Sequence, residues 1–473
     1  MKLKIFFIIF VILISVIIIS NSLALDINNN KNNFSEILED NINIVKSFVG
    51  FKDENEPFDR YEVVTTNVSG YNELKNVITN YTKSLENKSY VINLNDGDYN
   101  ITDTFRCGDS RTDSQFTING NGHILDGQNK HQFMELHANL KLKDLTIQNT
   151  IPGESNSSGA ITMESVSDLY IENCQFINNK GKIKGSAITN RGSAYITKST
   201  FKNNTVEETG GAIWSIGEYG GSLNINNCIF EENEANLNKN NDRTAIIYMV
   251  SYGNNTIENN KFIKNKGRCI HSFNKTNTKI IDNLFSENSM IENDVIRGGI
   301  IDNYESDMVI KNNEFNNDNT TGELRGGILY HEIGNLEFTD NIINDYNINY
   351  DPTSTSSCSK GGVIFNRNAT MNIKNNIFNN VLIGNYSRGG VIYNNNGEIT
   401  ITDNQFKNMV EGEKIRGLTI FNDVNGIVNI GNNTFESKNK GSFEAQNEDK
   451  YIFNSKVPNE EGSGTIGLTN YIS

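Results

Sequence analysis

From about residue 140 to about residue 435 the apolar positions follow neither one helical period nor one strand period; they return as a block of about 29 residues. The fullest blocks carry Ile-x-Asn/Asp-Asn-x-Phe, and several are preceded by a Gly-Gly-aliphatic-Ile segment. The anchor falls at Phe176, Phe201, Phe230, Phe262, Phe285, Phe315, Ile343, Phe378, Phe406 and Phe435. Five residues earlier stands Ile in every block except that of Ile343, which has Phe338. Repetition of this kind predicts stacked coils that bury one continuous column, because a repeated residue must first pack on its own copy.

Parity within a block shows how each coil turns. Leu223 and Ile225 alternate in phase, Cys228 and Phe230 alternate in phase, and the two pairs are out of step by one residue. A strand changes face only through a bend. The slip falls on Asn226 and Asn227, and Asn is the residue after Gly that best accepts a left-handed backbone. The same slip recurs at Asn259, Asp282, Asn312, Asp340, Asn375, Asp403 and Asn432. A short strand, an Asn bend, a second strand and a Gly-rich return make one coil of an all-β, right-handed parallel β-helix, a pectate lyase-like solenoid. About twelve coils are expected, at about 4.8 Å per rung. Stacking turns Asn260, Asn283, Asn313, Asn341, Asn376, Asn404 and Asn433 into a ladder whose amides bond from rung to rung.

The flanks read differently. Lys2 and Lys4, the apolar run Ile5 to Ile19 and Ser22-Leu23-Ala24 have the form of a secretory signal peptide over 1–24. Residues 25–66 read as a leader with an amphipathic helix from Phe34 to Val49. Residues 67–89 read as a short helical cap in which Leu74, Val77, Ile78, Tyr81 and Leu85 share one face. The repeats then occupy 90–440, and 441–473 is a C-terminal cap and tail. The expected location is secreted or at the cell surface, with a membrane contact only through the N-terminal segment if it stays uncleaved.

A net charge of −15 argues against nucleic acid or an anionic bilayer as partner. The five cysteines, Cys107, Cys174, Cys228, Cys269 and Cys358, are widely spaced without a CxxC pair, so neither a disulfide framework nor a zinc site is indicated. No metal site and no cofactor is expected.

Gly-Gly-Ala-Ile at 210–213, Gly-Gly-Ile-Ile at 298–301 and Gly-Gly-Val-Ile at 361–364 and 389–392 join Phe-x-x-Asn at Phe176, Phe201, Phe230, Phe262 and Phe285. Together they resemble the paired repeats of chlamydial polymorphic membrane proteins and the adhesin-like surface proteins of methanogenic archaea. The resemblance covers about residues 90 to 437 and implies the β-helix and, less specifically, adhesion. The C-terminal barrel of the chlamydial group has no counterpart in the sequence.

Two further columns bear on binding. Before the Gly pair stand Lys184, Arg243, Lys266, Arg297, Arg325, Lys360, Arg388 and Arg416; after it stand Trp214, Tyr248, His271, Tyr330, Phe365, Tyr393 and Phe421. If the intervening Ile points inward, alternation sends the aromatics outward. The expected binding face is therefore an exposed stripe of Trp214, Tyr248, Tyr330, Phe365, Tyr393 and Phe421 beside Arg297, Arg325, Arg388 and Arg416, suited to cell-surface carbohydrate or a cell-wall polymer. His271 and His331 read as isolated, Asp126 as part of a turn, and no catalytic residue is expected. The leading functional reading is an adhesin-like surface protein that is not an enzyme. A polysaccharide lyase or glycoside hydrolase is the alternative, and a passive envelope component is a third.

Overall fold

The structure is a computed structural model. It describes residues 61–153, 158–164, 167–207, 210–235, 244–250, 253–349, 358–382, 387–409, 416–423, 425–437, 452–454 and 465–469. The signal peptide and the helix expected at Phe34 to Val49 lie outside these residues.

Within the unit Val63–Ser473 the strands form a parallel β-helix with three long sheets of fifteen, twelve and thirteen strands. The first sheet runs from Val63–Val68 to Thr465–Thr469, the second from Ile124–Asp126 to Thr434–Ser437, and the third from Phe105–Cys107 to Ile452–Asn454. Coils stack in register, so that Phe176 pairs with Phe201, Phe201 with Phe230 and Phe230 with Phe262. Their rings stack face to face, with centroids 5.0, 4.8 and 4.9 Å apart. At Ile343 the column loses its ring and Phe338, across the coil, supplies one; it lies 6.4 Å from Phe378. Large and small residues have exchanged sides within one rung, which keeps the volume of the core nearly constant.

The bend between the first and second sheets is left-handed at Asn227, Asn259, Asp282, Asn312, Asp340, Asn375, Asp403 and Asn432, with φ between 54 and 60°. The Asn ladder beside it forms as expected. Asn260 Nδ2 donates to Asn283 Oδ1 at 3.0 Å and to the Ile225 carbonyl at 3.0 Å, while Asn283 Oδ1 also accepts the Asn260 backbone N–H. Every hydrogen-bonding group of the buried amide thus has a partner, which is the condition for burying it. A second ladder at the far end of the second sheet, Asn179, Asn204, Asn233, Asn265 and Asn288, follows the same geometry and terminates on Asp318.

The helix α1, Tyr71–Ser84, covers the first coils with Tyr71, Leu74 and Ile78 buried, and Tyr81 stacks on Tyr90 at 4.0 Å. Leu85 departs from expectation: it is the left-handed residue that ends the helix and is exposed. The β-structure also extends further at both ends than the sequence suggested. Val63–Val68, placed in the leader and cap, is the first strand and pairs with Ser89–Leu94, while Ile452–Asn454 and Thr465–Thr469 continue two sheets into the expected tail.

Candidate active site

On the third sheet each strand places its first and third residues inward and its second and fourth outward. In Ile301–Tyr304, Ile301 and Asn303 are fully buried, while Asp302 and Tyr304 face out. The outward second positions pair in the order Trp214, Tyr248, His271, Asp302, Tyr330, Phe365, Tyr393 and Phe421. The outward fourth positions pair as Phe273, Tyr304, Glu332 and Arg367. The aromatic column is thus replaced by two ionisable side chains on adjacent rungs, and there the wall opens into a cleft of about 290 Å³. His271, Phe273, Arg297, Asp302, Tyr304, Tyr330, Glu332 and Arg367 line it.

The groups in the cleft hold one another. His271 Nδ1 lies 2.8 Å from Asp302 Oδ2 and its ring stacks on Tyr248 at 4.8 Å. Arg268, 1% exposed, sits behind the same carboxylate, with Nη1 3.8 Å from Oδ2, and is fixed by the carbonyls of Gly298 and Thr244 at 2.8 and 3.1 Å. Burial alone would raise the Asp302 carboxyl, but the charges of Arg268 and His271, the hydrogen bond to His271 and the charge of Arg297 outweigh it and hold the group below the usual carboxylate range. At this distance the carboxylate accepts the Nδ1–H of His271, which fixes the ring and leaves Nε2, itself buried, on the far side. On the other wall Tyr330 donates to Glu332, and Arg367 Nη1 lies 3.5 Å from the second oxygen of Glu332. Burial, and next the bond to Glu332, push the Tyr330 phenol above its usual value, so it stays protonated. Arg297 lies over the Tyr330 ring, 6.0 Å from its centroid.

The expected aromatic stripe is corrected here. Trp214, Tyr248, Tyr330, Phe365, Tyr393 and Phe421 do face outward, but none is exposed beyond 9%. Tyr330, Phe365, Tyr393 and Phe421 stack at 5.2, 5.1 and 5.0 Å and form a small second core outside the wall. Two features cover them. The first Gly of each pair is left-handed and closes on the next rung, so that a Cβ built at Gly361 or Gly389 would lie 3.1 Å from the Cβ of Tyr393 or Phe421. The cations then lie across the rings, Lys184 on Trp214 at 4.1 Å, Lys360 on Tyr393 at 5.5 Å and Arg388 on Phe421 at 5.9 Å.

Of the expected binding residues, Tyr330 and Arg297 reach the cleft; Arg325, Arg388 and Arg416 lie in register beyond it. Arg243 lies outside the described residues, and Lys266 bridges to Ser289 instead of joining the row. His331 faces inward, 3.0 Å from Asn303 Nδ2. Asp302, Tyr304, Glu332 and Arg367 were not singled out from the sequence. A signal for Asp302 existed, since it follows Gly-Gly-Ile-Ile in the slot where other coils place an aromatic.

No protein-family model and no curated protein matches the chain. Two of the solved structures that match it align with most of its length. One is a mannuronic acid specific polysaccharide family 6 lyase from human gut microbiota, covering 87% of this chain and 88% of that one at 12% identity and a TM-score of 0.38. The other is an alginate lyase, AlyF-OU02, covering 86% and 92% at 12% identity and a TM-score of 0.35. At these values no residue role passes from either to this chain. The expectation of a chain that is not an enzyme is corrected on the geometry of the wall itself, where ionisable side chains converge in a cleft.

Proposed function

We propose that the cleft is the active site of a polysaccharide lyase acting on an acidic, uronate-bearing chain. The observation that carries this reading is the convergence of an oriented imidazole, a protonated phenol and two guanidinium groups on one open patch of wall. Elimination at a uronate needs three things: a base for the proton on the carbon beside the carboxylate, a cation for the charge that builds on that carboxylate, and an acid for the departing glycosidic oxygen. Here His271 takes the proton at Nε2, which lies buried beneath the cleft surface and has to be uncovered by the seated chain. Arg297 and Arg367 meet the carboxylate, and the Tyr330 hydroxyl, turning from Glu332 to the glycosidic oxygen, protonates it as the C–O bond breaks and the C=C bond forms. Asp302 fixes the tautomer of His271 and Glu332 orients Tyr330; both are positioning residues.

Hydrolysis is less well served. A glycosidase pairs a protonated with an ionised carboxyl, whereas Asp302 is held as the anion and Glu332 is engaged by Arg367 and Tyr330. Adhesion through exposed aromatics loses its support with their burial. Export through the expected signal peptide would deliver such an enzyme to extracellular polymers.

Incubation with alginate, polygalacturonate and neutral dextran tests the reading. Unsaturated oligosaccharides are expected from an acidic polymer alone, and they should vanish in His271→Ala and Arg367→Ala. Saturated reducing ends would move the protein to the hydrolases, and no product from any uronate polymer would remove the lyase reading.

A further inference from the structure

From Arg297, at the edge of the cleft, runs a row of cations of which the proposed reaction uses only that first member. Arg297 pairs with Arg325, Arg325 with Lys360, Lys360 with Arg388, and Arg388 bridges to Arg416. Each precedes a left-handed glycine, at Gly298, Gly326, Gly361, Gly389 and Gly417, so the backbone turns the same way after every one. All five side chains are half-buried, and the charged heads of Arg297, Lys360 and Arg388 lie over Tyr330, Tyr393 and Phe421 of the outer aromatic core. The acidic surface of the molecule does not neutralise the middle of the row: among the described residues, Arg325, Lys360 and Arg388 have no carboxylate within ion-pair distance. Elsewhere stacked cations find one, as Lys202 does with Glu231 at 2.9 Å and Lys266 with Glu234 at 3.7 Å. Like charges repeated on successive rungs repel, and a chain of net charge −15 has carboxylates enough to avoid this.

We infer that Arg297, Arg325, Lys360, Arg388 and Arg416 form a track for one linear polyanion lying across successive rungs, entering the cleft at Arg297. The spacing selects the partner. One cation per rung recurs at about 4.8 Å and the row covers about 19 Å. This suits an extended chain with one negative charge per monomer, whereas duplex DNA presents one charge per about 1.7 Å of axis. The inference deepens the proposed reaction and rests on it only in taking the polymer on the track to be the one that is cut. Short substrates should fill the cleft alone; long ones should gain affinity from the track, because contacts made by one chain reinforce each other.

The test is the triple variant Arg325→Gln, Lys360→Gln, Arg388→Gln, which spares every cleft residue, beside the charge-keeping double variant Arg325→Lys, Arg388→Lys. Affinity electrophoresis in alginate, polygalacturonate, dextran and duplex DNA reads binding, turnover of a uronate trimer reads the cleft, and a thermal melt reads folding. The wild type should bind an acidic polysaccharide in a salt-sensitive way. The triple variant should lose at least tenfold in that affinity with trimer turnover unchanged, and the Lys variant should keep it. A folded triple variant with wild-type affinity, a wild type that ignores both acidic polymers, or one that prefers duplex DNA overturns the track. Loss of polymer affinity in the triple variant, with no unsaturated product from either protein, supports the track and removes the lyase reading alone.

Discussion

The inner Phe column of the second sheet and the outer column of the third are built by the same stacking, yet they tolerate interruption differently. Where the inner column loses a ring, at Ile343, Phe338 replaces the lost volume within the same coil and the wall stays closed. Where the outer column passes to His271 and then loses its ring at Asp302, the side chains are ionisable and the wall opens. Repetition in this molecule reports packing, and a break in repetition that is not made good in volume reports chemistry.

The strongest way to break the comparison is through the inner column. Phe262→Ala should cost about 3–5 kcal/mol, read as a loss in melting temperature, with residual turnover per folded molecule unchanged. His271→Phe should do the reverse, since it completes the outer column: the melt should hold while turnover on polyuronate falls about 10²–10⁴-fold, the range set by losing a general base. A parallel loss of folding would place His271 among the packing residues.

Effects that depend on pH come from two buried titrating groups, Asp318 at the end of the second Asn ladder and His331 among the inward residues of the third sheet. Burial holds His331 at about 4 against an ordinary 6.5, so the unfolded chain takes the extra proton, and this contribution is full above pH 6.5 and lost as pH falls toward 4. Burial pushes Asp318 up to about 7 from 3.8, so the folded chain keeps the extra proton, and this contribution is full below 3.8 and lost as pH rises toward 7. The two slopes oppose each other across nearly the same window. Asp318→Asn, which restores the amide of its ladder, should expose the loss toward acid and raise stability at pH 8. His331→Asn, matching its neighbours Asn303 and Asn366, should expose the loss toward base. At about 1.4 kcal/mol per tenfold change in proton affinity, the effects are on the order of 3 kcal/mol for His331 and 4 kcal/mol for Asp318, and unfolding midpoints from about pH 4 to pH 8 read them. The smallest change is expected at Tyr195→Ala, where the ring stacks on Tyr170 at 4.8 Å on the outer face of the first sheet; about 1 kcal/mol is expected in the melt, with no change in turnover.

Much of the fold was legible because its determinants are local and recur. The left-handed bends, the Phe anchors and the Asn260 to Asn433 ladder each follow from a short motif whose copies confirm one another. The second ladder was present in Phe-x-x-Asn, but the left-handed residues that precede it, Asn178, Asn203, Glu232, Lys264 and Glu287, are too varied in type to mark the bend. Alternation gave the correct direction for Trp214, Tyr330 and Tyr393; their exposure depended on which atoms come back over them, and Gly361 and Gly389 settle that through space. The cleft was hardest to see, because His271 and Asp302 stand on different coils and neither belongs to a motif. Only register makes them neighbours.

The Asn ladder also bears on how such a chain could change over generations. Its members stand 23 residues apart between Asn260 and Asn283 and 35 apart between Asn341 and Asn376, yet the amide contact is the same, 3.0 and 3.1 Å. The join between coils therefore depends on a few atoms at one corner and hardly on how much chain loops out between them. Unequal recombination at the Asn codons would add or delete whole rungs, or lengthen a loop beside the cleft, without a frame in the core to repair. A lineage built this way can vary what surrounds its cleft while inheriting the wall intact.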